Sequence, residues 1–408
     1  MQLSEVDLCN PDNFVDGVPH EMFTTLRREA PVYKHPTPDG RHFWCVTRHD
    51  DLVAVNRDSK TFSSWLGGAT MNMDADPANL ETQRMMMLNM DPPDHTKLRK
   101  IVNKGFTPRM IRELSDRLER DATAIVDAII DRGKCEFVSE VASELPLIAI
   151  AEFLGVPREE RKVIFDLSNR LIGFDDPEFQ TSAEDAGVAA GELYAFAQDL
   201  ADARRKEPQD DIISALLHAE VDGERLSDLE FNLFFLLLSV AGNETTRNAI
   251  SHGMHALMEH PDQYQRLVED PSLLDSAVEE ILRWSTPVMN FKRTTTTDTT
   301  IRGVDIAADE PVVFWHMAAN RDDEVFDDPF SFDVARDPNL HTLHVAFGGG
   351  GPHFCLGANL ARAEIKVMFN EITKRIPDMQ LAAPPRRLRS NFINGIKEMR
   401  VEFSPSAA

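Results

Sequence analysis

The chain has 408 residues, with 42% hydrophobic and 27% charged residues, which is typical of a globular protein with a large core. Its formal net charge of −25 argues against nucleic acid or an anionic membrane as the main partner. The N-terminal stretch is polar and acidic, and the longest apolar run, LFFLLLSVAG, is too short to span a bilayer. We therefore expect a cytoplasmic protein without a membrane anchor.

Strand signals are few and short, and helical periodicity dominates the rest of the chain. The strand signals include PVYKH, HFWCVTRH, FKRTTTTDTTIRG and EPVVFWHM. They place β-rich parts mainly at about 30–65 and 290–316, with a further part at 380–405. The sequence therefore predicts a mainly α fold, a large helical domain with a small β-rich lobe, in one domain spanning residues 1–408.

Four cysteines lie far apart in the chain, at Cys9, Cys45, Cys135 and Cys355. They form no C-x-x-C pair, which argues against a disulfide framework and against a zinc ribbon. At most one cysteine is therefore placed for chemistry.

The segment from Lys97 to Arg112 is basic in an otherwise acidic chain. It contains six basic residues and no acid. Two interpretations remain open: a solvated helix face that balances acid elsewhere, or a docking patch for an acidic partner. The docking interpretation rests on Lys97, Lys100, Lys104, Arg109 and Arg112.

A capping box, Ser227 with Glu230, opens a long helix that is apolar on more than one face. The polar motif AGNETT, from Ala241 to Thr246, interrupts this apolar helix. Polar groups and a glycine are costly there unless something needs them. Either the motif is a local kink with satisfied side chains, or Gly242 opens a groove for a ligand while Glu244 and Thr245 relay protons.

Three further patterns place charges at helical or strand spacing. Glu280 and Arg283 lie at i,i+3, and His95 and Arg99 lie at i,i+4 on one helical face, while Arg293 stands in the Thr-rich strand. As lone surface pairs such residues are common and contribute little. As a group, His95, Arg99 and Arg293 are suited to binding a carboxylate.

The segment FGGGGPHFCLGANLARAEI places four glycines before Cys355 and a helix after it. A helix beginning at about Cys355 would favour the thiolate through its backbone N–H groups, and glycines would let a flat cofactor approach. His353 would donate to an anionic group at the edge of that cofactor. A phosphate-binding loop is disfavoured because the G-K-[ST] ending is absent, and a plain loop with an ordinary buried cysteine remains open.

Taken together and in order, these motifs resemble the cytochrome P-450 family over nearly the whole chain. The resemblance implies haem b as cofactor, with Cys355 as the axial ligand of its iron. It implies that Glu244 and Thr245 are the catalytic acid–alcohol pair, and that Glu280, Arg283 and Arg336 form a buried structural triad. The residues implied to bind or flank the haem are His95, Arg99, Arg293, His353, Phe347 and Gly357.

The resemblance also implies a monooxygenase that hydroxylates a small lipophilic substrate, namely a sterol, a terpenoid or a fatty or branched alkyl chain. Two electrons would come from a ferredoxin and its NAD(P)H reductase. The implied pocket residues are the loop 64–73, Val240, Ala241, Val288, Met289, Phe392 and Ile393. The alternatives are a haem-thiolate sensor without turnover and a peroxide-driven hydroxylase.

The sequence departs from the family pattern at one point. Phe347 lies eight positions before Cys355, where the family usually has seven, so we expect an extra glycine to bulge the loop. This longer loop, with GANLAR after it and AGNETTRN upstream, is similar to actinobacterial members that hydroxylate sterol side chains and methyl-branched lipids.

Overall fold

The structure of the protein is a computed structural model. It describes residues 1–405 apart from 72–76, 104–107, 158, 173–175, 180–182, 210, 221–222, 224 and 338. For residues 77–79, 108–113, 115–116, 172, 183–184, 186 and 341 it describes the helical backbone only.

Most of the secondary structure is helical, as the periodicity predicts. The helices before the long central one are α1 (His20–Glu29), α2 (His49–Arg57), α3 (Pro77–Arg84), α4 (Asp94–Asn103), α5 (Pro108–Ile130), α6 (Glu144–Phe153), α7 (Arg161–Ile172), α8 (Ala183–Lys206) and α9 (Ile212–His218). The remaining helices are α10 (Asp228–Glu259), α11 (Pro261–Glu269), α12 (Leu274–Ser285), α13 (His316–Ala319), α14 (Leu340–Leu343) and α15 (Ala358–Arg375). No helix in the described part of the chain is long and apolar enough to cross a bilayer.

The larger sheet combines strands from two distant parts of the sequence. Its strand order is β1-β2-β8-β5-β3, with β2 and β8 parallel and the other neighbours antiparallel. The strands are β1 (Val32–Pro36), β2 (His42–Val46), β3 (Phe62–Ser63), β4 (Lys134–Glu136), β5 (Asn290–Thr295), β6 (Thr299–Ile301), β7 (Val304–Ile306), β8 (Pro311–Trp315), β9 (Gln380–Leu381), β10 (Arg386–Arg387), β11 (Ile396–Glu398) and β12 (Arg400–Glu402).

Three small sheets complete the strand pairing in the described residues. They are β4-β12-β9, β6-β7 and β10-β11. Because β4 lies between α5 and α6 and pairs with β12 near the C-terminus, the end of the chain is attached to the helical part.

The long helix α10 organises the helical part of the molecule. The Ser227 side chain accepts a hydrogen bond from the Glu230 backbone N–H, and Glu230 reaches back to the Ser227 backbone, so the predicted capping box is present. The helix packs against α6, α7, α8, α12 and α15. Neighbours on several sides explain why its sequence is apolar on more than one face.

Two glycines of α10 allow close helix crossings. A Cβ at Gly253 would lie 2.8 Å from both Ile281 Cγ2 on α12 and Phe369 Cζ on α15. A Cβ at Gly242 would lie 2.8 Å from Ile150 Cδ1 on α6. Gly242 therefore serves helix packing, which corrects the expectation that it opens a groove for a ligand.

Candidate active site

The loop before Cys355 is closed by its own backbone. The Cys355 N–H donates to the Phe347 carbonyl at 3.1 Å, and the Phe354 N–H donates to the Gly351 carbonyl at 3.2 Å. Helix α15 begins at Ala358, three residues later than expected. The Cys355 N–H is thus used within the loop, and the N–H that approaches its sulfur belongs to Gly357.

All four glycines of this loop have left-handed backbone conformations. Their φ angles are 98°, 67°, 104° and 79° from Gly348 to Gly351, a region that residues with a Cβ rarely adopt. A Cβ at Gly351 would lie 2.4 Å from the Asn56 carbonyl oxygen, and one at Gly350 would lie 2.8 Å from Arg57 Nε. These glycines are therefore required by packing on α2, whereas the expectation was that they admit a cofactor.

Gly357 differs from the four loop glycines. Its φ is −86°, and a Cβ added there would meet no atom within 4 Å. Space therefore remains open beside Gly357, two residues after the cysteine.

Cys355 is accessible to solvent, although many protein atoms lie around its sulfur. Burial raises the pKa of its thiol, while the Gly357 N–H and the charges of Arg99 and Arg362 act in the opposite direction. Phe347, whose carbonyl closes the loop, packs beneath the Arg362 guanidinium at 4.5 Å from its ring centroid.

Basic side chains from three separate segments converge near this loop. The rings of His95 and His353 lie 4.3 Å apart, and Arg99 and Arg293 both lower the pKa of each imidazole. Burial and these charges lower the pKa of His95 to about 4, against a weaker opposing effect of Asp91. Burial also lowers the pKa of Arg293 to about 10.

This cluster of two guanidinium groups and two imidazoles carries unused hydrogen-bonding capacity. His95 Nδ1 is buried and has no hydrogen-bond partner in the described structure. The two guanidinium charges and an unpartnered polar atom both favour binding of anionic groups. The four residues that the sequence analysis grouped, His95, Arg99, Arg293 and His353, are thus brought together by the fold.

Glu280, Arg283 and Arg336 form a buried cluster of charges. Arg283 Nε and Nη2 each donate to the Glu280 carboxylate at 2.7 Å, and Arg336 Nε donates to it at 3.2 Å. Glu280 and Arg283 side chains are 0% exposed. Arg283 also donates to the Asn320, Pro329 and Ser331 carbonyls, so every side of its guanidinium is anchored.

The acid and the alcohol of the AGNETT motif point in different directions. Glu244 is buried and accepts from Arg247 and, at 2.9 Å, from Asn248 Nδ2. Thr245 Oγ1 donates to the Ala241 carbonyl at 2.8 Å. Ala241 is exposed and Thr245, one turn later, is half-buried, so both lie on the open face of α10.

The predicted pocket residues divide into two groups. Val288 bridges Ile393, and the Met289 N–H donates to the Phe392 carbonyl at 2.8 Å, so the two segments do lie side by side. Val288 and Phe392 are half-buried, as is Val240 on α10. Met289 and Ile393, by contrast, are 1% and 5% exposed and lie beside Phe14. These two side chains are therefore closely packed, and their lining of a substrate pocket stays a prediction.

Comparisons with known proteins agree with these motifs. The family model for Cytochrome P450 matches residues 148–376. A steroid C26-monooxygenase of Rhodococcus jostii is 44% identical over 98% of this chain and 85% of its own length. A methyl-branched lipid omega-hydroxylase of Mycobacterium tuberculosis is 42% identical over 98% of this chain and 95% of its own. The chain belongs to the cytochrome P-450 family.

A solved P-450 supports the same assignment at the level of structure. A Mycobacterium marinum cytochrome P450 in complex with pseudoionone has a TM-score of 0.87 and 39% identity, over 94% of each chain. The predicted mainly α P-450 fold is thereby confirmed. The protein is a cytochrome P-450 monooxygenase, and its cofactor is haem b.

The residues present fit this cofactor. A haem b carries two propionates, which suit the cluster of His95, Arg99, Arg293 and His353 with its unpartnered Nδ1. A flat macrocycle suits the open space beside Gly357, next to an exposed thiol that can ligate iron.

Sequence reasoning missed several residues that support this P-450 site. Asn56 on α2 bonds to both the glycine loop and Arg293. Glu279 holds Arg362 by two hydrogen bonds and accepts from His344 Nε2 at 2.7 Å. The available signal for Glu279 was its place beside Glu280 in EEILR, whereas nothing in the sequence near Asn56 distinguishes it from an ordinary helix terminus.

Replacing Arg283 by lysine tests the buried cluster. We expect Arg283→Lys to destabilise the protein by about 3–5 kcal/mol, because one ammonium cannot replace the two-pronged contact with Glu280 and leaves backbone carbonyls that accept from Arg283 without their donors. The measurement is chemical unfolding of the purified variant. Arg266→Lys is the control, since Arg266 pairs with Asp333 at 3.0 Å on the surface and its replacement should change stability by less than about 0.5 kcal/mol. Equal losses in both variants would contradict the role given to the cluster.

Proposed function

We propose that Cys355 is the axial ligand of the haem iron and that His95, Arg99, Arg293 and His353 bind the haem propionates. The observation that carries this proposal is the convergence of four basic side chains beside the loop of an exposed cysteine. Phe347 supports the loop, and the Arg362 guanidinium packs on its ring. Gly357 would leave room for the flat cofactor, because a Cβ added there would meet no atom within 4 Å.

Thiolate-ligated haem supplies the activation of O2 for insertion into a C–H bond. We assign the control of protons to the open face of α10. Thr245 Oγ1, now donating to the Ala241 carbonyl, can hold a proton at the distal side. Glu244 can carry protons to it only after rotating away from Arg247 and Asn248, which occupy its carboxylate in this structure.

The substrate proposed here is the branched end of a sterol side chain or of a methyl-branched lipid. The relatives named above act on steroids and methyl-branched lipids. The predicted pocket residues that are exposed or half-buried, Val240, Ala241, Val288 and Phe392, are all apolar. An apolar wall gains about 0.8 kcal/mol for each methylene group that it removes from water, so it suits an alkyl terminus.

The electrons are proposed to come from a ferredoxin with its NAD(P)H reductase, in the cytoplasm. On α4, Lys100 is exposed and Lys97 half-buried, while Arg99 on the same helix is close enough to affect the pKa of Cys355. Phe354, next to the cysteine, is 40% exposed. Lys104 and the side chains of Arg109 and Arg112 lie outside the described residues. An apolar centre beside basic residues suits an acidic protein partner.

The axial ligand is tested by the spectrum of the reduced, carbon monoxide-bound protein. We expect the long-wavelength main band of thiolate-ligated haem in the wild type and its loss in Cys355→His. Cys9→Ser is the matched control, because Cys9 is another free thiol and its loss should leave the band in place. A wild type without this band, or a Cys355→His variant that keeps it, would refute the proposed ligand.

The substrate class is tested by the low-to-high-spin shift of the haem on titration. We expect sterols with a branched side chain, or methyl-branched fatty acids, to bind about tenfold or more tightly than linear fatty acids of equal carbon number. Ala241→Phe should weaken this binding because it fills the open face of α10, whereas Ala203→Phe, on the exposed face of α8, should not. Equal affinity for linear and branched chains would contradict the assignment.

The docking surface is tested by reversing one charge. We expect Lys100→Glu to slow reduction by ferredoxin by about tenfold at low ionic strength, with the difference shrinking as salt increases. Substrate affinity should stay unchanged. Lys206→Glu makes the same charge change at the exposed end of α8 and serves as the control. The surface is wrongly placed if both variants slow reduction equally or if substrate affinity falls in parallel.

A further inference from the structure

Asn56, the penultimate residue of α2, joins two parts of the site that are far apart in sequence. Its Nδ2 donates to the Gly348 carbonyl and, at 3.0 Å, to the Gly350 carbonyl. Its Oδ1 accepts from Arg293 Nη2 at 2.7 Å. One side chain amide therefore holds the loop before Cys355 and the arginine of the basic cluster at the same time.

The hydrogen-bond partners fix the orientation of this side-chain amide. Carbonyl oxygens only accept and a guanidinium only donates, so the NH2 group must face the glycine loop and the oxygen must face Arg293. Asn56 is 4% exposed, so water cannot replace these bonds without rearrangement. A buried group of this kind is costly to leave without its partners.

The loop and α2 fit each other sterically as well. A Cβ on residue 351 would lie 2.4 Å from the Asn56 backbone carbonyl oxygen, and one on residue 350 would lie 2.8 Å from Arg57 Nε. The fourth glycine, which makes this loop one residue longer than the usual family pattern, is thus accommodated against the end of α2.

Within the described residues, Arg293 has few other anchors. Its Nη1 donates to the Lys292 carbonyl at 2.8 Å, and its guanidinium lies 5.2 Å from the centre of the Phe314 ring. Arg293 is 3% exposed, and Asp91 is the acidic group that acts on its guanidinium. Its position therefore depends on the Asn56 oxygen.

We propose that Asn56 is a positioning residue that couples the loop of the axial cysteine to the propionate-binding arginine, and so sets the reduction potential of the haem. The inference rests on the proposed roles of Cys355 and Arg293. A positive guanidinium near the haem favours the reduced state, because reduction adds a negative charge. A change at Asn56 that neutralises or withdraws Arg293 should therefore lower the potential.

Asn56→Asp is the sharpest variant, because aspartate has nearly the same shape as asparagine. It removes both donors to the loop and places a carboxylate next to Arg293. We expect a lower haem reduction potential by spectroelectrochemical titration, and haem transfer to apomyoglobin that is about five- to 100-fold faster, as expected for buried groups left without partners. Ala54→Asp, which adds the same charge on the exposed face of α2, should leave both measurements near the wild-type values.

Coupling to Arg293 is tested by a double-mutant cycle. Arg293→Gln should lower the potential on its own, and adding the uncharged Asn56→Ser to it should then change the potential less than Asn56→Ser does alone. Full additivity would overturn the proposal, as would an unchanged potential in Asn56→Asp with haem retained. Faster haem loss without a change in potential would mean that Asn56 only stabilises haem binding, and this result would also overturn the proposal.

Two further outcomes can be distinguished from failure of the proposal: a variant that binds no haem, and a wrong axial ligand. If Asn56→Asp yields no holoprotein, Asn56→Ser is measured in the same way, and a wild-type potential and haem transfer rate in that variant would overturn the proposal. If instead the wild type lacks the thiolate band with carbon monoxide, the proposed ligand itself has failed, whatever Asn56 does.

Discussion

The carboxylate of Glu280 is the constraint on which much of the site depends. It is inaccessible to solvent and accepts from Arg283, Arg336 and the Asp333 N–H. Two arginines share this one acid, so removing it would leave buried positive charge without compensation. The arginines in turn use their other N–H groups on carbonyls of the segment 320–331. A segment with little regular structure is thereby fixed against α12.

The same cluster holds the cysteine loop through a short chain of hydrogen bonds. Arg283 donates to the Asn320 carbonyl, and the Asn320 side chain accepts from the Val345 N–H at 2.8 Å. Val345 accepts from the Gly348 N–H at 2.8 Å, and two residues beyond Val345, the Phe347 carbonyl accepts from Cys355. The loop is therefore attached to α12 at one end and to α2, through Asn56, at the other. This double attachment explains how four glycines can form a defined structure.

The basic cluster contrasts with this balanced network. Arg283 and Arg336 share an acid, whereas among the described residues Asp91 is the acidic side chain that acts on His95 and Arg293. The burial of several bases without matching acids costs free energy in the protein alone. Such a cost is typical of a site that a ligand completes, and anionic groups of a haem would offset it.

Much of the P-450 architecture could be predicted from the sequence. The capping box at Ser227, the period of α10 and the short strands PVYKH and EPVVFWHM are local signals, and the structure has the corresponding elements. Motif spacing selected Cys355, Glu280 and the basic residues for one site, and the fold gathers the four basic ones. The start of α15 was placed three residues too early, because the turn around Cys355 is set by the Phe347 carbonyl and not by local helix signals.

What the sequence by itself determined is therefore the set of elements and the chemical groups, because helix periodicity, capping and motif spacing act over a few residues. Only the tertiary structure decided which neighbours those groups meet. The four glycines serve α2, Gly242 serves α6, and Met289 packs in the core. Each of these outcomes depends on a contact between segments distant in the chain, and no local pattern encodes the partner that arrives from elsewhere.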